Sequence, residues 1–340
     1  MPCYLTSCDP AEEAKRFGAA LVGIYAYHFV WDKLLITPLV NWFVRRQMIT
    51  KDKRDKMRES LWKNASVGSF TALGLYIAAD KDWWMNPHGY FKEWPSPTPE
   101  PIRWHYMIYI AFWLQSVDFM LNLTNKHYIV KRKDNAEMLL HHFATITLMV
   151  FSYVFDITRV GLCVLMIHEV NDLLLETDIS WMIPCPTAKV FVYLEWELLA
   201  NIFFGTFALV WFLVRWAVFG YNILWSVYTI AFDDIIVPIQ QKGSYMGMPA
   251  NTWWWFWCIF LVFLGILFLL HIFWGVLIVK MVAKTLQDGN VEKDIRSDSE
   301  DDGKDNEKKV VEPSKPTPAA TATTNGDAKP KPRRRTPKAE

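Results

Sequence analysis

What this sequence has little of narrows it first. Only 5 of its 340 residues are cysteine. Cys3, Cys8, Cys163, Cys185 and Cys258 show neither paired spacing nor a zinc pattern, so neither a disulfide scaffold nor a structural zinc site is expected. Net charge is nearly absent: 36 basic and 35 acidic residues leave +1. The two signs sit in separate blocks that cancel, and no nucleic-acid partner is predicted from them. No cleavable leader is visible, because polar residues are spread through positions 1–16. Histidine is scarce and scattered, 8 in all, instead of gathered in the dense boxes that a membrane di-iron site needs; no metal is expected.

What is present is apolar and blocky. The chain is 52% hydrophobic, with 18 Trp and 22 Phe. Apolar runs occupy 17–44 (interrupted by Asp32-Lys33 and passing Pro38), 61–79, 104–124, 138–155, 160–176, 188–214 and 253–279. Each is about as long as one membrane crossing. The fold class expected is an all-α polytopic membrane protein with about seven transmembrane helices. Three parts follow: 1–60, with the first span and a basic loop; 61–285, the main transmembrane domain; and 286–340, a charged tail rich in Lys, Asp, Glu, Pro, Thr and Ala that cannot bury a core. The loop 80–103 carries Trp83, Trp84 and Trp94, which suit a headgroup belt. Residues 215–252 read as a long polar and aromatic loop. Short-loop Lys and Arg concentrate in the first and third loops and after the last span, which places the N-terminus in the lumen and the C-terminus in the cytosol.

The stretch 138–176 organises the rest. Two apolar runs flank the polar break 156–159. The first carries His141 and His142; the second carries His168, Glu169 and Asp172. Ionisable side chains at membrane depth are costly unless they line a polar cavity, so an intramembrane site is the default reading. By the topology above, both sets fall in cytosolic halves, as do Asp118, Glu195 and His271. His168 and Asp172 share a helix face, and so do His141 and Thr145. Imidazoles suit general-base or nucleophilic work, and a carboxylate can orient them. The basic loop with Lys126, Lys131, Arg132 and Lys133 lies just outside, where phosphates of a soluble cosubstrate can be held. Asp118 and the lone His271 are read as core residues. Glu195 and Glu197 are two apart and cannot share a face.

His141-His142-Phe143-Ala144-Thr145, followed by Arg159-Val160-Gly161 and His168-Glu169-Val170-Asn171-Asp172, resembles the ceramide synthases within the TLC-domain membrane proteins. Leu270-His271-Ile272-Phe273-Trp274 looks like that family's last helix, and Arg296-Ser297-Asp298 like its acidic tail. The resemblance covers roughly 61–302. It implies a six-helix bundle or barrel around a lipid tunnel, with the first span outside, in the endoplasmic reticulum membrane. It implies that a fatty acyl group passes from acyl-CoA to the amine of a sphingoid base; acyl-CoA is a cosubstrate, and no cofactor stays bound. It implies histidine chemistry, by a general base that takes the amine proton directly or by the two-step acyl-imidazole route the family favours, with His141 as nucleophile, His142 beside it in proton handling, and His168 and Asp172 as orienting groups. Homo- or hetero-oligomers are compatible with it, and Ser297 and Ser299 become phosphorylation sites. Glu169 departs from the family's Asp, and the 45–63 loop is too short for the homeobox-like insert of many animal members. The rival reading is a non-enzymatic TLC-fold protein that binds or moves lipid or assists translocation.

Overall fold

The computed structural model describes residues 9–124, 134–176 and 197–288. Its first helix, α1, runs from Pro10 to Arg45. Asp9 starts it by accepting the Ala11 N–H at 3.0 Å, and Glu12 and Glu13 follow in the first turn, where the helix dipole favours acids. Pro38 has no N–H to give, and the chain widens to a π turn over Asp32–Ile36 just before it. The polar interruption predicted at Asp32 is therefore not a break. Asp32 is buried and accepts from Arg58 of the next helix at 2.8 and 3.0 Å.

The further long helices are α2 (Arg54–Ala78), α3 (Glu100–Met120), α4 (Asn135–Val154), α5 (Thr158–Glu176), α6 (197–242) and α7 (Ala250–Asp288). Among the described residues, four segments are long and apolar enough to cross a membrane: Pro10–Arg45, Asn135–Val154, Phe204–Lys242 and Ala250–Lys284. Helices α2, α3 and α5 hold 25, 21 and 19 residues, a comparable length at about 1.5 Å per residue. Their apolar runs are diluted by buried polar side chains such as Glu59, Gln115 and Glu169.

Helix α2 packs on α3, α3 on α4, α4 on α7, α7 on α6, α6 on α5, and α5 back on α2, while α4 also packs directly on α5. Helix α1 lies against α3 and α2. Close approach depends on small residues. A Cβ on Gly74 would meet the Met166 side chain, and one on Gly275 would come within 2.9 Å of the Trp216 ring.

Two expectations are corrected. Residues 215–242 are helix, not loop. The polar side chains that suggested a loop divide by face: Tyr221, Asp233 and Asp234 are exposed, whereas Arg215 is turned inward and buried. The helix closes at Gly243, whose φ of 76° suits glycine. A two-stranded hairpin of β1 (Ser244–Tyr245) and β2 (Met248–Pro249) leads into α7. The tryptophans of 80–103 also pack on protein. Trp83 is buried, and Trp94 donates to the Phe155 carbonyl at 2.9 Å while its ring meets Tyr245 and Trp253.

Candidate active site

Four helices build one cavity. His141, Thr145, Leu148, Met149 and Ser152 of α4 line one wall. Gly161, Val164, Leu165, His168, Glu169 and Asp172 of α5 line the next. Both sets recur every three or four residues, so each is a single stripe down its helix. Phe260, Leu264 and Leu267 of α7, with Trp113 of α3, complete it. The space between these walls is narrow, about 30 Å³ to the centres of water-sized molecules. Its chemistry is graded. Histidines and carboxylates stand at one end, aliphatic and aromatic side chains fill the middle, and Ser152 and Gly161 stand at the far end.

At the polar end the hydrogen bonds define the rings. His168 donates from Nδ1 to the Val164 carbonyl at 2.7 Å. Its Nε2 then faces the Nε2 of His271 at 2.9 Å, so one proton must lie between them. Arg215 joins the pair from α6. Its Nη1 lies 3.2 Å from His271 Nε2, and its Nη2 donates to the His168 carbonyl at 3.0 Å and to Asp172 Oδ1 at 2.7 Å. The guanidinium also lies 4.8 Å from the Trp211 ring centre. His142 donates from Nδ1 to the Met138 carbonyl at 2.6 Å. The His141 ring sits among Trp113, His142, Trp274 and His168, with centroids 5.5 to 6.2 Å away.

Four buried polar atoms in this lining have no hydrogen-bond partner among the described residues: Trp113 Nε1, His141 Nδ1, Thr145 Oγ1 and Glu169 Oε2. Such atoms are rare in folded proteins, because leaving them unpaired costs about 1–3 kcal/mol each. Their clustering at one end of an apolar cavity marks the place where a ligand's polar groups would sit.

The expected site residues His141, His142, His168, Glu169 and Asp172 thus come together from α4 and α5. His168 and Asp172 do not hydrogen-bond to His141, as an orienting role would suggest; they engage His271 and Arg215. Asp118 lies elsewhere, as expected of a core residue. It accepts from the Tyr25 hydroxyl, from the Thr124 N–H at 3.0 Å and from the Thr124 hydroxyl. Lys126, Lys131, Arg132, Lys133, Glu195, Ser297 and Ser299 lie outside the described residues. Two members of the cluster were missed from the sequence. The apolar surroundings of His271 point to a core residue, and the polar and aromatic run from Arg215 points to a loop. The available signal was a single arginine flanked on both sides by apolar runs, which is rare unless it faces a polar interior.

The chain matches the TLC-domain family over residues 56–280. It is 30% identical over 290 residues to ASC1-like protein 3 of Oryza sativa subsp. japonica, covering 83% of this chain and 93% of that protein. It is 29% identical over 306 residues to Ceramide synthase LOH2 of Arabidopsis thaliana, covering 86% and 95%. Against Ceramide synthase 4 of Homo sapiens the identity is 29% over 263 residues, covering 77% of this chain and 59% of that one. The chain belongs to the ceramide synthase family of TLC-domain proteins. As a member it is a multi-pass membrane protein, in keeping with the four long apolar helices among its described residues. Every residue of the cavity falls inside the span matched by the TLC domain, and most of α1 precedes it.

Proposed function

We propose that this protein is a ceramide synthase that moves a fatty acyl group from acyl-CoA to the amine of a sphingoid base. The observation that carries the proposal is the graded cavity: unpartnered polar atoms and histidines at one end, and a long apolar bore beyond. That form fits a thioester or amine head with a hydrocarbon tail. Membership of the ceramide synthase family supports the same reading.

His141 is the nucleophile. Its imidazole attacks the thioester carbon, the C–S bond breaks, and the CoA thiolate leaves and takes up a proton. The acyl group then sits on the imidazole with its tail in the apolar bore. A sphingoid amine is mostly ammonium at neutral pH, judged from the lysine value of about 10.4. His142, adjacent on α4, takes the amine proton. The amine attacks the acyl-imidazole, the C–N bond to the ring breaks as the ring nitrogen takes the amine's second proton, and the amide departs as ceramide. Thr145 Oγ1, one turn from His141, is placed to donate a hydrogen bond to the acyl oxygen. The basic loop with Lys126, Lys131, Arg132 and Lys133 would hold the CoA phosphates.

Seven spans in the endoplasmic reticulum membrane complete the proposal, with α2 to α7 closed around the bore, α1 outside, the N-terminus lumenal and the C-terminus cytosolic. The closed order of helix packing supports the arrangement. Detergent-purified protein supplied with acyl-CoA and sphinganine should form an N-acyl product. His141→Ala and His142→Ala should abolish it while expression and membrane insertion persist; full activity in both variants would remove the assignment.

A further inference from the structure

The far end of the cavity is closed by a hydrogen-bonded polar layer. Tyr106 of α3 is fully buried, and its hydroxyl meets Ser152 Oγ at 3.1 Å and the Thr158 carbonyl at 3.1 Å. Thr158 Oγ1 lies 3.1 Å from Thr98 Oγ1, which in turn reaches Asp156 Oδ1 at 3.3 Å. Thr98, Ser152, Asp156 and Thr158 are all buried. Gly161 lets the layer close: a Cβ there would land on the Tyr106 hydroxyl and on Ser152. The other end differs. The Asp172 side chain keeps 36% of its surface exposed, so the cavity communicates with the outside beside the histidines.

We infer that this layer is the floor of the acyl site and sets the length of acyl chain the enzyme accepts. The inference rests on the acyl-transfer reading above. A hydrocarbon tail that reached the layer would have to separate bonded hydroxyls and leave them buried without partners, which hydrocarbon cannot repair. The tail therefore stops at Ser152 and Gly161. The distance fixes a number. Ser152 follows His141 by eleven residues on one helix, about 16 Å along its axis. An extended chain advances roughly 1.2 Å per bond, the figure implied by about 3.5 Å per three-bond peptide unit. The bore then takes about 14 bonds, an acyl group of roughly 14 to 16 carbons. Leu148 stands one turn nearer His141, so filling the bore there should remove about 6 Å, roughly five bonds.

The experiment measures acyl transfer by purified protein with acyl-CoAs of roughly 12 to 24 carbons, spanning the estimated reach. Wild type should peak near 14 to 16 carbons and fall roughly 10-fold or more once the tail outruns the floor. Ser152→Leu and Leu148→Phe should raise the ratio of short-chain to long-chain rates, with Leu148→Phe shifting it further. Leu148→Phe keeps the floor intact, so it remains informative if the Ser152 variant does not fold. An optimum above about 20 carbons in wild type overturns the floor. So does a profile unchanged in Leu148→Phe, while leaving the acyl-transfer reading in place. No product at any chain length overturns both.

Discussion

Replacing Arg215 with Met is the sharpest test of how the polar end is held together. The arginine is buried at 2% exposure, donates to Asp172 and to the His168 carbonyl, and lies against His271 and Trp211. Methionine keeps much of the volume and removes the charge and the donors. Breaking a fully buried ion pair costs about 3–5 kcal/mol. Asp172 retains 36% side-chain exposure, so water compensates part of that loss. A charge-assisted hydrogen bond of about 1.5–3 kcal/mol is the better guide, and Arg215→Met should destabilise by about 2–3 kcal/mol. Asp172→Asn made alone should destabilise as well, because the guanidinium stays buried without its counter-charge. Made together the two changes should cost less than their sum, with a coupling of about 1–2 kcal/mol. Denaturant unfolding in detergent micelles, measured on wild type, both single variants and the double, gives the cycle. Additivity within about 0.5 kcal/mol would refute the pairing. Acyl transfer by Arg215→Met should fall with the pairing, and Arg215→Lys should recover part of it.

Gly161→Ala should destabilise by about 1–3 kcal/mol, because its Cβ would meet the Tyr106 hydroxyl and Ser152; unfolding of that variant at the wild-type midpoint would contradict the packing. Glu169→Asp should be well tolerated, since it restores the residue usual in the family. Glu169→Gln should lower the rate if the carboxylate acts in the reaction, and full activity in steady-state assays would exclude that role. Phosphatase treatment of wild type should change the rate modestly, and Ser297→Ala combined with Ser299→Ala should reproduce that change; equal phosphatase effects on both proteins would place the regulatory site elsewhere.

The parts of the site legible in the sequence were those encoded by spacing along one helix. His141 with Thr145, and His168 with Asp172, share faces by their separation alone, and α4 and α5 bring those faces together around the cavity. The helices at 138–155 and 160–176 were legible too, because the left-handed turn at Asp156, with φ of 53°, falls in the polar break between them. What escaped was pairing across helices. His271 is a lone polar residue on an apolar helix, and only its placement 2.9 Å from His168 distinguishes it from a packed core histidine. Arg215 was misplaced because Tyr221, Asn222, Asp233 and Asp234 follow it and read together as a loop; a helix can carry them by turning Asp233 and Asp234 outward while the arginine faces in. Asp32 shows the same effect: its partner Arg58 lies on another helix.

The most direct test of the central claim is a mass measurement on the purified protein after exposure to acyl-CoA alone. The account predicts an added acyl group that maps to the peptide containing His141, is absent from His141→Ala, and disappears with formation of N-acyl product when sphinganine is added. An unmodified His141 peptide, in a preparation that nevertheless forms ceramide from acyl-CoA and sphinganine, would contradict the account.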